Sequence, residues 1–133
     1  MTNNMSADRS REDYLEAILS LIIRNGACRA TDIADELGFS RASVSVALRK
    51  LEESGLVIRD EWRVLLTEAG AAIASETRSK HRFFTDLFTF CDVEPETAEK
   101  EACLVEHAVS DESFHLLLTK LQPLMDAAME ERC

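Results

Sequence analysis

Apolar residues in the first part of the chain recur at three- and four-residue spacing: Tyr14, Leu15, Ile18, Leu19, Ile22 and Ile23. That is the period of one buried helix face. It predicts an amphipathic helix over about residues 9–25, ended by Asn25-Gly26. A second, short helix over about 30–37 turns Ile33, Ala34 and Leu37 inward and stops at Gly38. Ser40 suits the N-cap of a third helix over about 41–54, whose apolar face is Val44, Ala47, Leu48 and Leu51, with Gly55 as terminator. The period then changes. Leu56-Val57-Ile58-Arg59 and Arg63-Val64-Leu65-Leu66 predict two short strands around Asp60-Glu61-Trp62. Thr67 and Glu68 open a long helix to about Cys91, and Asp92-Val93-Glu94 breaks it. Pro95 fits the first turn of a helix to about Ala108. Ser110 caps a last helix with Pro123 as a point of interruption.

Helix, short helix, turn, third helix and β-hairpin is the order of a winged helix-turn-helix. The fold class expected is therefore mainly α, with an N-terminal winged helix-turn-helix, a two-stranded wing and an all-helical second domain. The third helix would be the DNA-reading element. It begins Arg41-Ala42-Ser43-Val44-Ser45, where the small and hydroxylated residues allow close approach to base edges and phosphates, and Arg49 and Lys50 follow one to two turns later. Arg59 and Arg63 on the hairpin suit a wing lying against the DNA backbone or minor groove. A plain helical bundle with solvated hydroxyls is the competing reading of the same helices.

The net charge of −10 argues against DNA binding until its distribution is considered. Residues 1–28 carry 3 basic and 4 acidic groups, residues 29–63 carry 6 and 7, and residues 64–133 carry 6 and 14. The excess acid sits in the second half, where it favours a cation. The apolar content of 46% and charged content of 30% are those of a soluble globular protein. No apolar run is long enough to span a bilayer and no signal peptide is visible, so a cytoplasmic location without membrane association is expected. Cys28, Cys91, Cys103 and Cys133 lack CxxC spacing and are expected as thiols.

One of those thiols lies in Glu99-Lys-Glu-Ala-Cys103-Leu-Val-Glu106-His107. On a helix, positions 99, 103, 106 and 107 share a face. Carboxylate, thiolate, carboxylate and imidazole converging there would bind a divalent cation. The bland reading is a buried cysteine beside solvated acids. Asp13 and Glu16 on the first helix and His81 on the fourth are further donors that such a face would need from elsewhere. His115 has no motif context and reads as a surface or packing residue.

The chain resembles the diphtheria toxin repressor family of iron- and manganese-dependent regulators. The resemblance rests on Ala34-Asp35-Glu36-Leu37 and its turn, Val44-Ser45, Gly55-Leu56-Val57, Leu66-Thr67-Glu68-Ala69-Gly70 and Lys80-His81-Arg82. Its most specific part is Glu101-Ala102-Cys103-Leu104-Val105-Glu106-His107-Ala108-Val109-Ser110-Asp111. The resemblance implies that Cys103, Glu106, His107 and His81 ligate metal. It implies that Asp13 and Glu16 match manganese-type ligands and that Cys103 follows the iron branch. Glu99 stands where the iron branch places a histidine, and Thr85 where it places a glutamate. The metal implied is Fe²⁺ or Mn²⁺, with Co²⁺, Ni²⁺ or Zn²⁺ able to substitute. The chain is similar to the shorter members, which lack an SH3-like domain.

These implications define two domains. Residues 1–70 would bind DNA, and residues 71–133 would bind metal and dimerise, with a connecting helix over about 67–91. The aromatics Phe83, Phe84, Phe88 and Phe90, with Leu87, exceed what one small core needs, so some are expected to face a second copy. Metal would neutralise crowded carboxylates, tie the domains together and set the recognition helices of a homodimer about 34 Å apart on a palindromic double-stranded operator. The function expected is a metal-activated repressor of metal-uptake genes, with no organic substrate. Two other readings use the same residues: a metal-independent winged-helix regulator responding to an organic ligand or oxidation, and a metal-buffering interaction module. Nothing in the motifs points to an enzyme.

Overall fold

A computed structural model describes the backbone of residues 2–132 and the side chains of residues 9–131, so Cys133 lies outside the described residues. The elements follow in the order α1 (Thr2–Asn25), α2 (Ala30–Leu37), α3 (Arg41–Glu53), β1 (Val57–Asp60), β2 (Arg63–Leu66), α4 (Glu68–Phe90), α5 (Pro95–Val105) and α6 (Asp111–Arg132). They form two compact units, residues 1–75 and 76–133, and α4 runs from one into the other.

The first unit is built on apolar faces that the sequence places at helical spacing. Leu15, Ile18, Ile33, Val44 and Leu48 are fully buried together, with Val57 and Val64 from the hairpin. Local chemistry fixes where each helix stops. Gly38 takes φ 72°, a left-handed conformation that L side chains rarely adopt, and its N–H donates to the Ala34 carbonyl. This turns the chain from α2 into α3. Ser40 caps α3 by accepting the Ser43 N–H at 3.1 Å. β1 and β2 are antiparallel, with Val57 opposite Leu66 and Asp60 opposite Arg63, so Glu61-Trp62 is a two-residue loop. Glu61 supplies the positive φ, 57°, that such a tight hairpin needs. Thr67 starts α4: its hydroxyl donates to the Gly55 carbonyl at 2.7 Å and accepts the Gly70 N–H at 3.1 Å. Gly70 passes so close to β1 that a Cβ there would meet the Leu56 carbonyl oxygen.

The second unit packs the later part of α4 with α5 and α6 around Phe83, Phe84 and Phe114. Phe83 meets Phe84 and Phe114 edge-on, with centroids 5.1 and 5.7 Å apart. Leu87, Phe88 and Phe90 are partly buried against the same cluster. Phe83 and Phe84 are thus buried in their own unit, whereas Leu87, Phe88 and Phe90 are covered only in part. The exposed apolar side chains are aliphatic instead: Leu104 on α5, and Leu116, Leu124 and Met129 on α6.

Two expectations about helix ends are corrected. α6 runs through Pro123 without interruption. A proline costs one backbone hydrogen bond and some crowding, which the apolar contacts of Phe114, Leu118, Leu121 and Met125 on either side offset. α5 stops at Val105 rather than at about Ala108, and Glu106 to Ala108 form a turn. No described helix is long and apolar enough to cross a membrane.

Candidate metal centre and nucleic-acid interface

Three of the donors predicted on α5 converge at its C-terminal end. Cys103 sits in the last turn of α5, Glu106 is its C-cap and His107 lies in the turn beyond. One ligand atom from each of the three lies within 4.8 Å of the other two. The end of the helix gathers them because Glu106 keeps right-handed helical dihedrals and its N–H still donates to the Ala102 carbonyl, so positions 103, 106 and 107 stand three and four residues apart on one side. It is also the negative end of the helix dipole, where unpaired carbonyls favour a cation and disfavour another carboxylate.

Glu106 is nonetheless buried, at 1% exposure. A buried carboxylate needs compensation. His81 provides part of it, with Nδ1 hydrogen-bonded to Glu106 Oε2 at 2.8 Å, and His107 Nε2 lies 3.3 Å from Oε1. His81 does not join the three clustered donors and bonds Glu106 instead. Thiol, carboxylate and imidazole packed this closely, with an acid at a helix C-terminus, form a donor set that fits a divalent cation. The ion would supply the positive charge that this cluster lacks.

Lys80, next to His81, anchors the same turn. Its side chain is buried, and Nζ donates to the Val109 carbonyl at 2.8 Å and pairs with Asp111 at 2.7 Å. Ser110 then caps α6 by accepting the Ser113 N–H at 3.1 Å. The peptide carrying Glu106 and His107 is thereby pinned on its C-terminal side. Thr85 donates to the His81 carbonyl at 2.7 Å, so its hydroxyl is engaged with its own helix.

Glu99 is exposed on α5 and is not among the clustered donors. Asp13 and Glu16 are half-buried on α1, in the first unit. His115 is exposed and pairs with Glu76 at 2.7 Å.

The residues expected to contact DNA are all exposed: Arg41, Ala42, Ser43, Ser45, Arg49 and Lys50 on α3, and Arg59 and Arg63 on the hairpin. Ser43 accepts a hydrogen bond from the Ser40 hydroxyl at 2.9 Å. Arg63 pairs with Asp60 at 2.6 Å across the hairpin end, which holds its guanidinium near the wing tip. Trp62, half-exposed between them in the chain, carries Arg29 over its ring at 4.6 Å and Arg63 at 5.9 Å. Arg29 reaches the wing because its backbone bridges to Arg63 and the Cys28 carbonyl accepts the Val64 N–H. Sequence reasoning missed Arg29 and Trp62. The only signal was a basic residue before the second helix and an aromatic in a tight turn.

The sequence matches two domains of one family in tandem. Residues 8–63 match "Iron dependent repressor, N-terminal DNA binding domain", and residues 67–126 match "Iron dependent repressor, metal binding and dimerisation domain". The chain belongs to the iron-dependent repressor family. This repressor is 36% identical over 112 residues to the transcriptional regulator MntR of Salmonella typhimurium, covering 84% of this chain and 71% of that one. Among solved structures it resembles the manganese regulator SloR, at TM-score 0.71 and 32% identity, and the T. acidophilum IdeR, at TM-score 0.72 and 26% identity. Each alignment covers 84% of this chain and 53% of the other, so the repressor spans about half the length of those two. As a member of the family it is a metal-dependent, DNA-binding transcriptional regulator that acts as a dimer, and not an enzyme.

Proposed function

We propose that this regulator represses metal-uptake genes when Fe²⁺ or Mn²⁺ binds a site nucleated by Cys103, Glu106 and His107. The observation that carries the reading is the buried Glu106 carboxylate, held against His81 and His107 and within reach of the Cys103 thiol. Three donors already close together lose little freedom on binding an ion. His81, bonded to Glu106 through Nδ1, orients that carboxylate. Asp13, Glu16 and Glu99 are the further proposed ligands. Carboxylates there favour the harder Mn²⁺, and the Cys103 thiolate favours Fe²⁺. The similar SloR is a manganese regulator, which supports Mn²⁺ as one of the two ions.

In this reading residues 1–70 form the DNA-binding domain and residues 71–133 the metal-binding and dimerisation domain. Leu116, Leu124 and Met129 on α6 supply apolar surface for a second copy. A two-fold dimer calls for a palindromic operator. Metal and DNA must strengthen each other's binding by one shared factor.

The test is a DNA titration of anaerobically purified protein with Fe²⁺, with Mn²⁺ and with chelator, on duplexes selected from a random pool. Metal is expected to tighten binding at least about tenfold, a coupling within the usual range. Equal affinity in chelator would sink the reading.

A further inference from the structure

Among the described residues, the outward face of α3 carries an apolar side chain that packing does not explain. Val44, Leu48 and Leu51 are the buried residues of α3. At 3.6 residues per turn, Val46 points roughly 190° away from their mean direction. It is 41% exposed. Ala42, Ser43, Arg49 and Lys50, all exposed, lie three or four positions away and surround it. Val46 also borders an open groove of about 620 Å³ with Arg11 and Lys50, so no described side chain fills the space before it.

A branched apolar side chain at the centre of a recognition face has no hydrogen bond to offer. In the major groove the apolar feature that distinguishes one base pair from another is the thymine 5-methyl group. We propose that Val46 is a specificity-determining residue that reads a thymine methyl in each half-site of the operator. Ala42 and Ser43 are short enough to let it approach, while Arg49 and Lys50 hold the helix on the phosphates. The proposal rests on α3 being the reading helix.

The experiment selects duplexes from a random pool with the metal-loaded full chain, then replaces each selected thymine by deoxyuridine, which lacks only the methyl. At one thymine per half-site, deoxyuridine should weaken wild-type binding about fourfold, the value for burying one methylene-sized group. Val46→Ala should bind the thymine duplex about as weakly and no longer distinguish thymine from uracil at that position. Val46→Thr, which keeps one methyl, should retain part of the discrimination. An unchanged melting temperature for Val46→Ala separates this from misfolding, and exposure of the site predicts that result. If no position shows deoxyuridine sensitivity that Val46→Ala removes, the inference is overturned and DNA binding stands. If the wild type selects no duplex at all, the DNA-binding reading fails with it.

Discussion

His81 Nδ1 lies 2.8 Å from Glu106 Oε2, joining α4 to the turn that follows α5. The bond fixes the orientation of a carboxylate that is buried to 1% exposure, and it divides the labour among the clustered groups. Glu106→Gln and His107→Ala each remove a donor, and each should abolish metal-dependent DNA binding while the dimer persists. His81→Ala removes the group that orients Glu106 and should weaken Mn²⁺ binding about 10- to 100-fold. Calorimetric metal titration with sedimentation of the same samples checks both. Full affinity in His81→Ala would show that Glu106 is held by other contacts.

The thiols should differ sharply in reactivity. Cys91 is exposed, Cys103 half-buried and Cys28 buried. Alkylation followed by mass spectrometry should label Cys91 first and Cys28 last. Bound metal should slow labelling of Cys103 alone. Cys103→Asp should shift preference towards Mn²⁺ over Co²⁺, and an unchanged ranking would remove the thiol from the ligand set.

DNA binding and metal binding should separate at Arg49. It is exposed on α3, in the first unit, far along the sequence from the clustered donors of the second. Arg49→Ala should weaken DNA binding by about 1–3 kcal/mol if the guanidinium reads a guanine. A smaller loss, uniform across sequences and flattening the salt dependence, would assign it to phosphate. Metal affinity measured without DNA should not change.

Gly70→Ala is expected to destabilise the first unit. A Cβ there would collide with the Leu56 carbonyl, a backbone atom that accepts the Thr67 N–H and cannot rotate away. Overpacking of this kind costs about 1–3 kcal/mol. Denaturant melts would show it, and a neutral result would mean that α4 starts farther from β1 than described.

Alkaline pH should destabilise the fold through Cys28. Burial, aided by the neighbouring Asp32 charge, pushes its thiol from 9.0 up to about 12. Above pH 9 the unfolded chain releases this proton while the folded chain keeps it, so the folded state binds more protons and stability falls as pH rises. The loss begins near the unfolded value and is complete above about pH 12. Burial raises Tyr14 as well, and it acts in the same direction above pH 10.0. Unfolding midpoints followed from pH 8 upward, with Cys28→Ala as the comparison, should show a shallower alkaline slope in the variant.

Sequence periodicity by itself determined the eight elements in order, because each buries one face and each face is written at the spacing of its own secondary structure. Gly38 and Ser40 marked the turn between α2 and α3, since only the backbone chemistry of those residues suits a left-handed cap and an N-cap. The motif Cys103, Glu106, His107 was equally legible, and the family resemblance added metal ligation to residues that spacing alone had only placed near one another. What the tertiary structure decided was how those donors meet. Helical spacing put Glu99 with them, yet the donors that cluster are Cys103, Glu106 and His107, where α5 ends, while Glu99 is exposed. Lys80 and His81 hold that turn from α4, through contacts 25 and 29 residues apart in the chain that no local pattern encodes. The same holds for the wing, where Arg29 meets Trp62 only because β2 bridges back to it. Local propensity sets the elements, whereas the ends of helices and the pairing of charges depend on what is packed against them.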